Sequence, residues 1–201
     1  VYVDTGAMYR AMALYFLRKG VDPKEAEEIG RSCPEVDVTI HYQEGVQQVL
    51  LNGEDVSGLI RTEEVGNMAS AVSGYMPVRE KLVELQKQLA AKENVIMDGR
   101  DIGTCVLPDA PAKIYLTASV EVRAVRRYKE LLEKGMEADL KEIEKDIEDR
   151  DYRDMHREHS PLKQAEDAVL LDTSSMTLDQ VVEEILKIVR EKGYKAAGGC
   201  A

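Results

Sequence analysis

The sequence predicts an α/β protein built on a parallel sheet, and three observations carry that prediction. Short strand-like runs at 1–3, 95–97, 113–116 and 168–171 alternate with stretches of helical period, and strands separated by helices pair in parallel. The stretch 36–57 changes to period two, the mark of a small antiparallel sheet inserted into the main layer. A length of 201 residues with 44% apolar content suits one domain with such an insertion.

Taken in order, Val1-Tyr2-Val3 reads as a strand that Asp4-Thr5-Gly6 breaks. Ala7 to Lys19 is then helical, with Met8, Met12, Tyr15 and Phe16 on its apolar face. Asp22-Pro23 predicts a second short helix, Asp22 as N-cap and Pro23 in the first helical position. Within the insertion, Val36, Val38, Ile40 and Tyr42 alternate, as do the residues from Val46 to Leu51. Glu44-Gly45 and Asn52-Gly53 are its turn signals. Thr62–Ser73 and Pro77–Lys92 return to helix, and the three later strands follow. Residues 120–158 carry dense charge of both signs and few large apolar side chains. They predict a solvated, mobile helical hairpin, a lid spanning about 123–158. The core domain is thus 1–35 and 58–192, the insertion 36–57, and 193–201 a frayed, low-complexity tail.

Composition narrows the function. Lys and Arg number 27 against 38 Asp and Glu, a net charge of −11, which disfavours nonspecific binding to nucleic acid or anionic membrane. An anionic ligand must therefore meet a local cluster of positive charge. No run approaches the length of a membrane span, and no secretory leader is visible. Cys33, Cys105 and Cys200 are far apart and in no metal-ligand spacing, which suits a reducing cytoplasm. A domain that opens in mid-strand is expected to lack a leading piece in this sequence.

In open parallel sheets, ligands sit beyond the carboxyl ends of the strands. Three of those ends are polar: Asp4-Thr5-Gly6, Asp98-Gly99-Arg100-Asp101 and Asp172-Thr173-Ser174. The first and third read equally well as helix caps. In the second, an Arg between two acids at a strand end is costly without an anionic partner. Arg10 follows the first strand, Arg79 opens a helix, and Arg150, Arg153 and Arg157 are spaced i, i+3, i+7, with Asp154 in the same stripe. Arg forks bind phosphate in bidentate fashion. Their convergence near one sheet edge points to phosphoryl chemistry, which needs mainly positioning and charge neutralisation. His41, His156 and His159 have no recognisable nucleophile beside them.

Six ordered motifs resemble the bacterial cytidylate kinase family. They are Val-Asp-Thr-Gly-Ala-Met-Tyr-Arg at 3–10, Asn-Gly-Glu-Asp-Val-Ser at 52–57, Ile-Arg-Thr-Glu-Glu-Val at 60–65, Asp-Gly-Arg-Asp-Ile-Gly-Thr at 98–104, Pro-Asp-Ala-Pro-Ala-Lys-Ile-Tyr-Leu at 108–116 and Arg-Asp-Tyr-Arg-Asp at 150–154. The resemblance runs to about residue 192. It implies the three-layer P-loop kinase fold, a parallel sheet with helices on both sides, and transfer of the γ-phosphate of ATP to CMP or dCMP with Mg²⁺. It implies that Thr5, Tyr9 and Arg10 hold the acceptor nucleotide, with Arg10 on its phosphate. Ser70, Arg79 and Asp101 would read cytosine, Arg100 would contact the acceptor phosphate, Arg150 and Asp154 would hold the ribose, and Arg157 would complete the pocket. Arg100, Arg150 and Arg157 are the implied catalytic residues. Arg123, Arg126 and Arg127 would reach the ATP phosphates from the lid. A carboxylate such as Asp101 accepts from the cytosine amino group, whereas the uracil carbonyl offers it no proton. The expected setting is a cytoplasmic monomer with no nucleic-acid or membrane partner.

This sequence departs from the family at one point. No Gly-x-x-x-x-Gly-Lys-Ser/Thr occurs in it, and the strand and helix that flank that loop in the family are absent too. The loop would wrap ATP phosphates and supply a Lys and a metal-binding hydroxyl. The absent strand is expected between the strands at 1–3 and 95–97, leaving two unpaired edges in a buried layer. No metal ligand is expected in this chain. The expectation is an incomplete sequence, poorly stable and inactive alone; a noncatalytic pyrimidine-nucleotide binder is the alternative.

Overall fold

A computed structural model describes residues 1–193, so the expected tail lies outside the described residues except for Gly193. The first strand, β1 (Tyr2–Asp4), runs directly into α1 (Thr5–Lys19). Asp4 makes that junction: its carboxylate accepts from the Ala7 amide at 3.0 Å and caps the helix. Gly20 ends α1 in the left-handed region at φ 69°, a conformation glycine adopts without steric cost.

The second helix, α2 (Ala26–Ser32), starts later than the sequence predicts. Asp22 accepts from the Lys24 amide at 2.8 Å, and its carbonyl takes the Glu25 amide at 3.0 Å. Asp22-Pro23 is therefore a side-chain-stabilised turn, and Glu25 precedes the helix without a side-chain cap. The inserted sheet is as predicted: β2 (Val38–Gln43), β3 (Val46–Leu51) and the short β4 (Glu54–Asp55) pair antiparallel. Both turns carry positive φ at their two central residues, Glu44 and Gly45, then Asn52 and Gly53, the geometry that matches strand twist.

Next come α3 (Glu63–Val72), capped by Thr62, and α4 (Met76–Lys92). Strand β5 (Ile96–Asp98) pairs with β1 in parallel register, Tyr2 opposite Ile96 and Asp4 opposite Asp98. That register corrects the expected strand order, since β1 and β5 are direct neighbours with no position between them. After a π-helical turn at Ile102–Val106, β6 (Ile114–Thr117) and β7 (Val169–Asp172) form a second parallel pair. Between them run α5 (Val120–Glu133) and α6 (Leu140–His156), the predicted hairpin, and α7 (Leu178–Glu191) follows.

The main core cluster is built around α1. Met8, Met12 and Phe16 are fully buried against residues of the insertion, α3 and α4, including Val49, Val56, Val72 and Leu82. The strands β6 and β7 contribute nothing to this cluster. Ile96, Leu116 and Leu170 are 74%, 56% and 56% exposed, so among the described residues this layer is not covered on both faces. No helix among the described residues is long and apolar enough to cross a membrane.

Candidate functional site

The direct pairing of β1 with β5 sets the two polar strand ends side by side. Thr5 Oγ1 donates to the Asp98 carbonyl at 2.6 Å and ties them together. Gly99 is needed for this approach, because a Cβ there would stand 2.4 Å from Thr5 Oγ1. A cleft opens above the junction. Its walls come from α1 (Thr5, Gly6, Tyr9, Arg10), α3 (Ala69, Ser70) and Ser73 just past its end, the start of α4 (Arg79), the end of β5 and the turn after it (Asp98 to Asp101), and the end of α6 (Arg150, Asp154) with Arg157 just beyond it.

The cleft gathers five guanidiniums and three carboxylates, Asp98, Asp101 and Asp154, leaving two positive charges in a chain of net charge −11. Arg79 and Asp101 form a buried ion pair, and Arg79 Nη1 also donates to the Ser73 carbonyl at 3.1 Å. The pair leaves Asp101 Oδ1 without a hydrogen bond among the described residues. The Tyr9 ring lies 5.8 Å from the Arg79 guanidinium carbon, within cation–π range. Arg100 donates through Nε to buried Asp154 at 3.0 Å and remains 44% exposed. Held by Nε, it keeps both terminal amines for a ligand. Arg10 Nη1 donates to the carbonyls of Ile60 and Thr62 at 3.1 and 3.3 Å. Arg157 donates through Nε to the Ser160 carbonyl at 2.7 Å and through Nη1 to Ser73 Oγ at 3.4 Å.

Several polar atoms in this cleft are buried without a partner: Tyr9 Oη, Ser70 Oγ, Arg150 Nε and Arg157 Nη2. Buried polar groups are ordinarily satisfied, so such atoms call for a ligand or water. Burial pushes the Tyr9 hydroxyl up to about 12, with Arg79 opposing. Burial and then Arg100 lower the Arg150 guanidinium, and burial and then Arg79 lower that of Arg157. Crowded, desolvated cations of this kind favour an anion between them. Burial also raises the Asp98 carboxyl, against a hydrogen bond from Tyr2.

All ten acceptor-site residues expected from the sequence line this one cleft: Thr5, Tyr9, Arg10, Ser70, Arg79, Arg100, Asp101, Arg150, Asp154 and Arg157. The three lid arginines do not line it. Arg123 pairs with Asp151 at 2.7 Å, Arg126 donates to the Thr173 carbonyl at 2.6 Å, and Arg127 pairs with exposed Glu130 at 2.9 Å. Arg153 is also outside, on a shallow surface with Asn67, Asp146, Asp149 and Tyr152. The stripe that faces the cleft is Arg150, Asp154 and Arg157, because the helix ends at His156 and Arg157 turns in from an extended backbone. Ser73 was missed as a site residue, and Asp98, singled out only within Asp98-Gly99-Arg100-Asp101, had no role of its own. Ser73 lies three residues beyond Ser70, on the same helix face, which was the available signal. Asp172 accepts from Ser174 Oγ at 2.6 Å and is a local turn residue.

Comparison with known proteins follows the same outline. The family model described as cytidylate kinase matches residues 1–191. A cytidylate kinase of Lactobacillus johnsonii is 50% identical over 192 residues, covering 96% of this chain and 84% of that protein. One of Bacillus licheniformis is 47% identical over 197 residues, with 97% and 87% covered. One of Caldicellulosiruptor saccharolyticus is 46% identical over 198 residues, with 98% and 86% covered.

Proposed function

The chain belongs to the cytidylate kinase family, and from that premise we propose that it serves transfer of the γ-phosphate of ATP to CMP or dCMP, giving CDP or dCDP. The cleft is the acceptor site, and the observation that carries this reading is its unsatisfied polar lining: Tyr9 Oη, Ser70 Oγ, Arg150 Nε and Arg157 Nη2. Its surplus of two positive charges suits a phosphate monoester, which carries about −1.5 to −2 at neutral pH. Arg10 and Arg100 hold the acceptor phosphate, Thr5 and Tyr9 support the nucleotide, and Ser70, Arg79 and Asp101 read the base. Arg150 and Asp154 hold the ribose, and Arg157 closes the pocket. Arg100, Arg150 and Arg157 then neutralise charge that spreads over the transferring group. The setting is a monomer in the cytoplasm.

Among the described residues no three His, Cys, Asp or Glu side chains converge on a metal site. Mg²⁺ enters as part of the MgATP substrate, as the family resemblance implies. Of the lid arginines, Arg127 is the readiest to turn toward ATP, because its pair with Glu130 is exposed and such pairs hold less than about 1 kcal/mol. Residues 1–201 contain no Gly-x-x-x-x-Gly-Lys-Ser/Thr. These residues by themselves bind the acceptor without turning it over, which keeps the noncatalytic pyrimidine-nucleotide binder as the second reading.

Two measurements on the 201-residue chain test this. In calorimetric titration CMP should bind, and Arg100→Ala should weaken it by about 1.5–3 kcal/mol, the worth of a hydrogen bond to a charged group. A chain that binds no CMP would overturn the site. In an assay with MgATP and CMP, steady formation of CDP by the same chain would overturn its inactivity and the noncatalytic reading together.

A further inference from the structure

Gly66 lies inside α3, the helix that packs on α1. Its backbone does not call for glycine. Its amide donates to the Thr62 carbonyl at 3.1 Å in an ordinary helical bond, and its φ is not positive. Glycine is a poor helix former, second only to proline. What this position offers is room. A Cβ at Gly66 would stand 3.0 Å from Arg10 Nη1, 3.2 Å from Nη2 and 3.4 Å from Cζ. The two terminal nitrogens stand nearer than Cζ, so it is the Nη1/Nη2 end of the guanidinium that packs against the helix at Gly66.

Arg10 is a hard cation to keep in place. It is half-buried, and burial, Arg150 and Arg61 all act against its charge. Its hydrogen bonds go to two carbonyls at the entry to α3, those of Ile60 and Thr62. The same short segment thus supplies the anchors on one side and the open backbone face on another.

We propose that Gly66 is a positioning residue: the missing side chain lets the Arg10 guanidinium lie against α3, where Ile60 and Thr62 aim its remaining N–H groups at the acceptor phosphate. This rests on the reading that Arg10 holds that phosphate. A methyl group at Gly66 pushes the guanidinium aside by a few tenths of an ångström. The long Arg10 side chain yields, so the helix forms while the fork leaves its place. A displacement of about 1 Å in such a contact costs on the order of 100-fold, so the smaller shift should cost about 3- to 10-fold.

The test is calorimetric titration of CMP and of cytidine into the unsubstituted chain, Gly66→Ala, Arg10→Ala and the double variant, with thermal melts of each. Gly66→Ala should weaken CMP about 3- to 10-fold, leave cytidine unchanged and keep or raise the Tm. In the Arg10→Ala background it should have no further effect on CMP. If Arg10→Ala leaves CMP affinity unchanged, the phosphate reading of Arg10 fails and the inference falls with it. If Arg10→Ala weakens CMP while Gly66→Ala does not, or the two losses add in full, Gly66 does not position Arg10 and the reading of Arg10 stands. A Gly66→Ala chain with lowered Tm and weakened cytidine binding would likewise overturn the inference in favour of plain packing.

Discussion

In Asp101 a structural role and the proposed reading of the base fall on one side chain. Its carboxylate is paired with Arg79, and both are almost fully buried. Asp101→Ala would strand the guanidinium, and breaking a buried pair costs about 3–5 kcal/mol, to be read by urea denaturation. CMP binding should fall as well, while UMP loses a repulsion, so the ratio of their affinities narrows about 10- to 150-fold if one charged hydrogen bond is lost. A ratio that stays within about twofold while stability falls would leave Asp101 a purely structural partner of Arg79. Asp98 makes a different prediction. Burial raises its folded-state value, so the native state gains stability below the ordinary aspartate range, near about 3.9, and loses it as pH rises through the raised value. At neutral pH the ionised carboxylate is therefore a cost. Asp98→Asn should raise the Tm at pH 7, and the gain should shrink toward pH 4; an unchanged or lower Tm at pH 7 would contradict the sign. Thr5, Arg100 and Asp101 were legible from polar strand ends, and Arg10, Arg79, Arg150, Asp154 and Arg157 from charge and spacing, whereas Tyr9, Ser70 and the nucleotide roles expected of all ten came from the family resemblance. Asp98 was legible only as part of Asp98-Gly99-Arg100-Asp101, and it is the pairing of β5 with β1 that sets it in the cleft lining.

At the scale of elements, α5 and α6 differ in how they are held. Arg126 ties α5 to the Thr173 and Met176 carbonyls beyond β7, at 2.6 and 3.4 Å. The pocket end of α6 instead presents Arg150 and Arg157 with unsatisfied buried nitrogens. Nucleotide binding supplies those atoms with partners, so closure should be concentrated in α6. Hydrogen exchange with and without CMP should show protection rising at 140–158 more than at 120–133. Equal change in both helices, or none in either, would sink that assignment. The hairpin itself was legible from charge density and helical spacing. Its register was less so: a 3.6-residue period places Arg153 near Arg150, but the end of the helix at His156 decides that Arg157 faces the cleft and Arg153 does not. Asp22-Pro23 failed as a helix start for a similar local reason. A short acidic side chain can bond the backbone two residues on as readily as it can cap a helix, and here the turn prevails.

Among the described residues the main buried apolar cluster gathers around α1, and β6, β7 and α7 lie outside it. The sequence pattern predicted parallel pairing without an order, and the order taken from the family resemblance misplaced the neighbours; strand order is fixed by contacts remote in the chain, such as Thr5 with Asp98, which periodicity does not encode. The consequence is an uneven distribution of stability. Leu82 is 0% exposed in the cluster around α1, and Leu82→Ala should cost about 2–5 kcal/mol, the transfer of its methyl groups plus the cavity left behind. On α7 the outward stripe is as apolar but makes little of it: Leu178, Val182 and Leu186, four residues apart, are 79%, 48% and 45% exposed. Side chains already in water lose almost nothing when made polar, so Val182→Gln and Leu186→Gln should each change stability by less than about 0.5 kcal/mol. The comparison is made on one protein by urea denaturation, with the slope checked for constancy so that midpoints report stability. A loss above about 2 kcal/mol for Val182→Gln, at unchanged slope, would mean that this face is covered in solution, and the core would then have to be redrawn to include α7 and the outward residues of β6 and β7.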